Sequence, residues 1–168
     1  MIYMVEMALI DLSRRVEWDA WYLSHMKLLI SIPGIQATQR FEALSPHPSP
    51  FVALHQVTGP DVFTSDAYRA KAGPTGTGEW RDRMNNWHRN VLTGLDETPE
   101  VPLDGALVVV EDGASAPVPL QWTEAIGLDR SVTRRGFAVM GKLADATGLI
   151  GLPGVRVCRP LTPRLRAA

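Results

Sequence analysis

The chain contains four histidines, and imidazole is the side chain that most readily takes and gives a proton near neutral pH. His25 follows a cluster of aromatic residues and His55 lies in an apolar run, so burial would shift both pKa values. Glu6 interrupts the apolar first segment, and a carboxylate beside an imidazole would fix its tautomer. We therefore predict a catalytic group of His25, His55 and Glu6, with His25 as general base or acid. Each of the three also has a structural interpretation as a hydrogen-bonded core residue.

Aromatic side chains accompany His25 at helical spacing. Trp18, Trp21 and Tyr22 precede it at positions that share its face of a helix. Indoles exclude water and stack on a flat molecule, although tryptophans at this spacing also serve as ordinary core residues. Arg40 is a candidate for holding an anionic group. The predicted substrate-binding residues are Trp18, Trp21, Tyr22, Arg40, Trp87 and His88.

Strand register decides whether the candidate residues meet. His55 lies mid-face in the alternating segment 51–57, and Glu6 has the matching place in segment 2–10. A slip of one residue moves a side chain to the other face of the sheet. On the helix side the two would join His25 in one cavity, whereas on the other side they would face an interface between subunits.

No metal and no organic cofactor are predicted. The histidines stand at positions 25, 47, 55 and 88, without the i, i+4 pair that holds zinc on a helix. The single cysteine, Cys158, excludes a site of several thiolates. Ser24 does not pair with His25 as a nucleophile because adjacent helix residues point apart. Catalysis is left to histidine and carboxylate.

Composition restricts the partners. The chain has 168 residues, 45% of them hydrophobic, which is enough for one compact domain with its own core. Its 17 Lys and Arg against 18 Asp and Glu give a net charge of −1, so no basic field attracts nucleic acid. We expect a small-molecule substrate and no nucleic-acid partner.

The N-terminal ten residues are apolar but lack the basic region and the small-residue cleavage site of a signal peptide. They are also too few to cross a membrane. We therefore predict a strand there, no membrane partner and a cytoplasmic location.

Hydrophobic periodicity and turn residues predict the elements that position these side chains. With the consecutive helices 61–72 and 79–95 counted as one helical connection, the order is β-α-β-β-α-β. This order is typical of the α+β ferredoxin-like fold, a four-stranded antiparallel sheet with the helices on one face. The glycine-rich segment 73–78 is interpreted as a flap over the pocket. Strands are predicted at 2–10, 35–43, 51–57 and 106–110, and helices at 13–30, 61–72 and 79–95.

The remainder of the chain echoes its beginning. The segment LISIPGI at 29–35 recurs as LIGLPGV at 149–155, and each copy leads into a predicted strand. Chance similarity around a Pro-Gly helix stop is the alternative. We predict a ferredoxin-like unit at 1–112 and, at 113–168, an extension that forms a partial β-α-β repeat packed on the same body.

Arginines concentrate in this extension. Forked guanidinium groups bind carboxylates, so such a cluster favours an acidic substrate. The alternative is a surface of ion pairs. The arginines in question are Arg130, Arg134, Arg135, Arg156 and Arg159.

The segment EWDAWYLSH at 17–25, the Pro33-Gly34 stop and the pair Arg40-Phe41 resemble the dimeric α+β barrel superfamily and, within it, the EthD-like proteins. The resemblance covers about 30 residues closely and about 110 by element order. Ser24 stands where these proteins often carry an acidic residue. The resemblance implies that two ferredoxin-like units associate through their sheets as a homodimer, with a pocket between each sheet and its helices.

The superfamily includes several kinds of protein, so the fold leaves the activity open. The first interpretation is a cofactor-independent enzyme that transfers protons in an aromatic or polyketide-like acid, as an isomerase, dehydratase or decarboxylase. The second is an EthD-like accessory or ligand-binding protein without catalysis. The third is a haem-binding or cofactor-free monooxygenase member.

Overall fold

The computed structural model describes the backbone of residues 1–168 and the side chains of residues 1–73 and 76–168. Residues 74 and 75 of the predicted flap therefore lie outside the described side chains. The helices are α1 (Arg15–Leu29), α2 (Asp66–Lys71) and α3 (Leu143–Ala146). The strands are β1 (Ile2–Leu9), β2 (Ile35–Ala43), β3 (Phe51–Val57), β4 (Met84–Thr93), β5 (Ala106–Glu111), β6 (Gln121–Leu128), β7 (Arg134–Met140), β8 (Val155–Pro160) and β9 (Leu165–Arg166).

Strands β1 to β8 form a closed barrel. The nine-stranded sheet has the order β3-β1-β4-β6-β7-β5-β8-β2-β9, and the additional pairing of β2 with β3 closes the ring. Every pair of neighbours is antiparallel, and β9 adds to β2 beyond the point where β8 leaves it. The molecule is thus a mixed α+β protein. The barrel closes within one chain, so closure requires no second copy.

The apolar residues form three layers. One cluster fills the barrel interior, with Phe41, Leu54 and Phe137 among its members. A second lies between α1 and the outer face of β1 and β3. A third lies outside β5 and β8, beneath α3. Because side chains alternate along a strand, each strand of the first half supplies one set of residues to the interior and another to the helix side.

Helix α1 covers the outer face of the first half. Asp11 caps the short turn that precedes it, where a carboxylate oxygen accepts the Ser13 backbone N–H at 3.0 Å. The predicted helical face is buried, including Trp18 and Tyr22. Gly34 then turns the chain with φ of 93°, and a Cβ there would lie 2.5 Å from Val62 Cγ2. Glycine is required by both the backbone angle and the close approach.

The prediction of a helix at 79–95 was wrong. Residues 74–83 form a 3-10 segment and residues 84–93 form β4, which pairs with β1 and β6. An irregularity in the β1–β4 register between Glu6 and Ala8 brings Met84 and Trp87 to the same side, although they are three residues apart. The extra residue at the bulge therefore gave the apolar residues a spacing that is typical of a helix. The pairing of β4 with β1 and β6 outweighed this local pattern.

Strand β5 has different neighbours from those predicted. It is buried at five of its six residues, as its continuous apolar run indicated, but it pairs with β7 and β8. Strand β6 was not predicted. The strand at 134–140 and the short helix at 143–146 agree with the repeat found in the sequence, and the two Pro-Gly turns are alike: Ile35 N–H donates to Ile32 at 3.0 Å and Val155 N–H to Leu152 at 3.1 Å.

Within the residues described, no helix combines the length and the hydropathy that crossing a membrane requires.

Candidate active site

A pocket lies between α1 and the outer face of β1, β3 and β4. His25 and Trp21 enter it from the helix, His55 and Trp87 from the sheet, and Thr77 covers it. It outlines about 440 Å³ of space free of atoms, its open mouth included, but the centre of a water molecule fits in only about 30 Å³ of that space. The pocket is therefore narrow.

His25 is held against an aromatic surface. Its ring stacks on Trp21 with centroids 5.1 Å apart and planes inclined by 14°, and the edge of Tyr22 lies 6.1 Å away. Burial lowers the pKa of His25 to about 4, because the charged imidazolium loses its hydration there. At neutral pH this imidazole is uncharged and available to accept a proton.

His55 is more deeply enclosed. Its Nδ1 lies 2.8 Å from Thr38 Oγ1, across the β2–β3 pair, and its ring lies 5.1 Å from Tyr3 on the β1 side. Its Nε2 is buried and has no hydrogen-bond partner among the described side chains. Burial lowers its pKa to about 3, and the nearby His25 acts in the same direction. The pocket therefore contains two imidazoles that are neutral at pH 7.

Two tyrosines and an arginine complete the polar part of the pocket. The hydroxyls of Tyr3 and Tyr68 share a hydrogen bond, and burial raises the pKa of Tyr3 well above its ordinary value. The positive charge of Arg89 acts against that shift in both tyrosines. Arg89 also pairs with Asp129 at 3.3 Å. Arg89 is thus a cation at the pocket, and its partner Asp129 lies on the exposed side.

Sequence reasoning missed these polar residues. Tyr3 alternates with Val5 and Met7 on β1, a pattern that would have placed it opposite His55 once the register was known. Arg89 was hidden because its segment was predicted to be helical. Thr38 showed no chemical signal, since a threonine in a strand is ordinary.

The structure does not bring Arg40 and Trp18 to the pocket. The Arg40 guanidinium lies 4.1 Å from the centre of the Trp18 ring and 4.2 Å from that of Tyr22, and it donates to Asp19 at 2.6 Å. Arg40 is 2% exposed and Trp18 is fully buried. Burial lowers the pKa of Arg40 although Asp19 opposes this. These residues anchor α1 to the sheet.

Glu6 lies on the opposite face from the histidines. Its side chain points into the barrel, where it pairs with Arg156 and, at 3.5 Å, with Arg135. Burial would raise the pKa of Glu6, but the two guanidinium groups outweigh it and hold that pKa below its ordinary value. The predicted cavity shared by Glu6 and the two histidines does not form. His88, which is exposed, lies on the Glu6 side at the barrel mouth.

The arginines of the C-terminal part are divided among separate partners. Arg135 and Arg156 are buried inside the barrel, where both pair with Glu6, and Arg135 also pairs with the partly exposed Glu111. The remaining pairs are at the surface, Arg134 with Asp112 at 3.8 Å and Arg159 with Glu42 at 2.7 Å. Arg134 and Arg159 thus match the predicted surface of ion pairs, whereas Arg135 and Arg156 form their pairs in the interior. Cys158 is buried in the interior, and burial raises its pKa to about 12.

Across the side chains that are described, no three His, Cys, Asp or Glu residues are grouped so that they could hold a metal ion.

Comparison with known proteins identifies the fold. No family model and no curated protein matches the chain. Solved structures do match. One is a proposed monooxygenase from Lactobacillus acidophilus, with a TM-score of 0.57, 9% identity and coverage of 99% of this chain and 96% of the other. Another is an anthrone oxidase-like protein, with a TM-score of 0.55, 8% identity and coverage of 99% and 93%. At this low identity, the likeness shows a shared fold over nearly the whole chain.

Proposed function

We propose that this protein is a small enzyme that removes a proton from an aromatic or polyketide-like substrate without a metal or organic cofactor. The observation that carries the proposal is the pair of uncharged imidazoles, His25 and His55, in one apolar pocket. A neutral imidazole can accept a proton, and a pocket that excludes water strengthens its interactions with substrate charge.

His25 is the proposed base. It is the less enclosed of the two imidazoles, and stacking on Trp21 holds its ring in one orientation. A folded-state pKa of about 4 makes it a weak base in the empty pocket. An anionic intermediate beside it would stabilise the imidazolium and raise that pKa during the reaction.

The remaining walls suit a flat substrate that carries an acidic oxygen. Trp21, Tyr22 and Trp87 supply aromatic surface, and Arg89 supplies a positive charge near the two tyrosine hydroxyls. Arg89 thereby takes over the role that the sequence analysis assigned to Arg40. Indoles bind planar rings by stacking, and a guanidinium favours a carboxylate or phenolate over the neutral form.

Oxygenation is a second candidate, favoured by the names of the two structural neighbours. Removing a proton from an anthrone-like CH2 group leaves a carbanion that can pass electrons to O2. The balanced change converts CH2 and O2 into C=O and water, so the substrate supplies the electrons. Isomerisation and dehydration through an enolate need the same first step without O2. Decarboxylation instead releases CO2 and leaves a carbanion that takes up a proton, and all three stay predictions.

Anthrone tests the shared first step. The protein is mixed with anthrone in D2O without O2, and deuterium entry at the CH2 carbon is followed by NMR, while an oxygen electrode records O2 uptake in air. Exchange without O2 uptake supports proton transfer, and both together support oxygenation. His25→Gln is expected to lower the exchange rate at least about 100-fold, because general-base catalysis is worth that much.

Ser24→Ala is the matched control, since Ser24 adjoins His25 on α1 but is exposed. It is expected to keep the wild-type rate. A folded His25→Gln variant with the wild-type exchange rate would refute the proposed base. Saturable anthrone binding, seen as quenching of tryptophan fluorescence without exchange or O2 uptake, would favour the EthD-like ligand-binding alternative.

Other features predicted from the sequence remain proposals. These are the EthD-like relationship, the ferredoxin-like character of the first part, the organisation into 1–112 and 113–168, and the homodimer. Light scattering coupled to gel filtration measures the mass directly. A mass near the 18.5 kDa of one chain would refute the homodimer.

A further inference from the structure

Thr38 and His55 form a buried side-chain pair at the floor of the pocket. The Oγ1 to Nδ1 distance is 2.8 Å, and the exposed fractions are 0% for Thr38 and 1% for His55. The two residues stand directly opposite each other on β2 and β3. The other ring nitrogen, Nε2, is buried without a partner, and the ring lines the pocket that contains His25.

Hydrogen-bond accounting distinguishes the two tautomers of His55. If Nδ1 carries the proton, it donates to Thr38 Oγ1, and the threonine hydroxyl proton then has no acceptor within this pair. If Nδ1 is bare, the hydroxyl donates to it and the proton of the ring sits on Nε2. A threonine hydroxyl can donate one hydrogen bond and accept two. If it donates to Nδ1, only lone pairs stay unused on the threonine oxygen. The unpaired group that remains is then the Nε2–H, which belongs to a ring that lines the pocket.

We propose that Thr38 donates its hydroxyl proton to Nδ1 of His55 and so keeps the ring proton on Nε2, where it is presented to an oxygen atom of the substrate. This inference rests on the proposed function, because it assigns the second histidine a role in the same reaction. Thr38 is a positioning residue, and His55 is the group that touches the substrate.

The assignment divides the work between the two imidazoles. His25 accepts the proton from the substrate carbon or oxygen. His55, which stays uncharged, donates a hydrogen bond to the oxygen on which negative charge accumulates. A neutral imidazole is suited to this role because it carries no charge that would lose its hydration in the pocket. A donor that is already in place also costs no reorganisation during the reaction.

The division also restricts the substrate. A hydrogen-bond donor at the floor of the pocket is useful when the reacting carbon is conjugated with an oxygen, as in an enolisable ketone or a phenol tautomer. Loss of the proton then produces an enolate, and its oxygen accepts from Nε2–H. A substrate whose acidic group is only a remote carboxylate would not use this donor.

The neighbours of the ring support the fixed orientation. His55 lies between Thr38 on β2 and Tyr3 on β1, with the Tyr3 ring 5.1 Å away and inclined by 31°. Tyr3 is held in turn by its hydrogen bond to Tyr68. Arg89 is the charged residue among the described lining of the pocket, and its positive charge acts on Tyr3 and Tyr68.

The tautomer is measured by NMR on protein labelled with 15N in the histidine rings, at pH 7 and without substrate. Two-bond couplings between ring nitrogens and carbon-bound protons distinguish a bare Nδ1 from a bare Nε2, and a His55→Gln sample assigns the signals. We expect a bare Nδ1 in the wild type and in Thr38→Ser. In Thr38→Val we expect the Nδ1 resonance to move, because its donor is lost, and a population with the proton on Nδ1 to appear.

A protonated Nδ1 in the wild type would overturn the proposal, as would an Nδ1 resonance that is the same in wild type and Thr38→Val. Thr38→Ala serves for the same comparison if the valine variant does not fold. Because no substrate is present, this result is independent of whether anthrone is turned over. With a substrate that is turned over, Thr38→Val should lower kcat about 10-fold or more with little change in KM, and Thr38→Ser should restore it.

Discussion

Glu6 and His55 lie on two neighbouring strands that pair directly, yet their side chains occupy opposite sides of the barrel wall. Tyr3 of β1 stands opposite His55 of β3, and Glu6, three residues farther along β1, stands opposite Val52. Side chains alternate between the two faces of a strand, so residues an odd number of positions apart point to opposite faces. His55 therefore reaches the pocket beneath α1, while Glu6 is enclosed with Arg156 in the interior.

Removing the charge of Glu6 should destabilise the fold. Glu6→Gln leaves Arg156 and Arg135 without their shared carboxylate in the barrel interior, and breaking a buried pair in this way costs about 3–5 kcal/mol. Urea unfolding monitored by tryptophan fluorescence measures the free energy. Glu100→Gln is the control, because its ion pair with Arg166 is exposed and is worth less than about 1 kcal/mol. Equal effects of the two substitutions would contradict the buried network.

The two pocket histidines should make the protein less stable in mild acid. Their folded-state pKa values, about 4 for His25 and about 3 for His55, lie below the unfolded value of 6.5. The unfolded chain therefore binds protons first, and stability present above pH 6.5 is lost as the pH falls toward the folded-state values. Between pH 7 and pH 5 we expect a loss of about 2 kcal/mol for each histidine.

Urea unfolding at the two pH values measures that loss. The two histidines together account for one part of the loss in unfolding free energy between pH 7 and pH 5. His25→Gln and His55→Gln should each remove about half of that part, and the double variant should remove all of it. An unchanged pH dependence in the double variant would show that these imidazoles are not buried as described.

Arg40 should stabilise the protein through its packing. Arg40→Ala removes a side chain stacked on Trp18 and Tyr22 and leaves a cavity, so we expect a loss of about 3 kcal/mol. Arg40→Met keeps most of the volume and removes a buried charge, a combination that is close to neutral in other proteins, so its cost should be below about 1.5 kcal/mol. Thermal or urea unfolding compares the two. A methionine variant as unstable as the alanine variant would show that the charge, not the packing, is what matters.

Arg89 should select acidic aromatic ligands. Arg89→Met is expected to weaken binding of 1-naphthoate about 5- to 10-fold and to leave binding of neutral naphthalene unchanged, because only the former gains from the guanidinium. Quenching of the pocket tryptophans measures both affinities. Arg166→Met is the control, since Arg166 is an exposed residue of β9. Equal weakening for both ligands would mean that Arg89 acts through the shape of the pocket rather than its charge.

Local patterns predicted much of the first half correctly. Strands β1, β2 and β3 and helix α1 follow from apolar periodicity, from residues that favour helix starts, and from the Pro33-Gly34 stop. They were predictable because each pattern is long and regular and agrees with the burial that the fold imposes. These patterns left open whether His25 and His55 would share one pocket, because that depends on strand register.

The second half and β4 depended on contacts that no local pattern contains. A spacing typical of one helix face is found at Met84, Trp87 and Val91. In the structure, the bulge opposite β1 instead places Met84 and Trp87 on one side of a strand. Strand β6 exists because it joins β4 to β7 and thereby completes the ring. Partners so distant along the chain are chosen by closure of the whole sheet.

The amino-acid sequence by itself determined that the chain forms an α+β body with an aromatic helix that carries His25 and an alternating strand that carries His55, because residue type and period are local properties. Only the tertiary structure decided that the barrel closes within one chain, that Glu6 and Arg40 serve the core, and that Thr38, Tyr68 and Arg89 act around the pocket. Those outcomes depend on strand register and on which side of the barrel wall a residue faces, and both are settled by the packing of residues far apart in the chain.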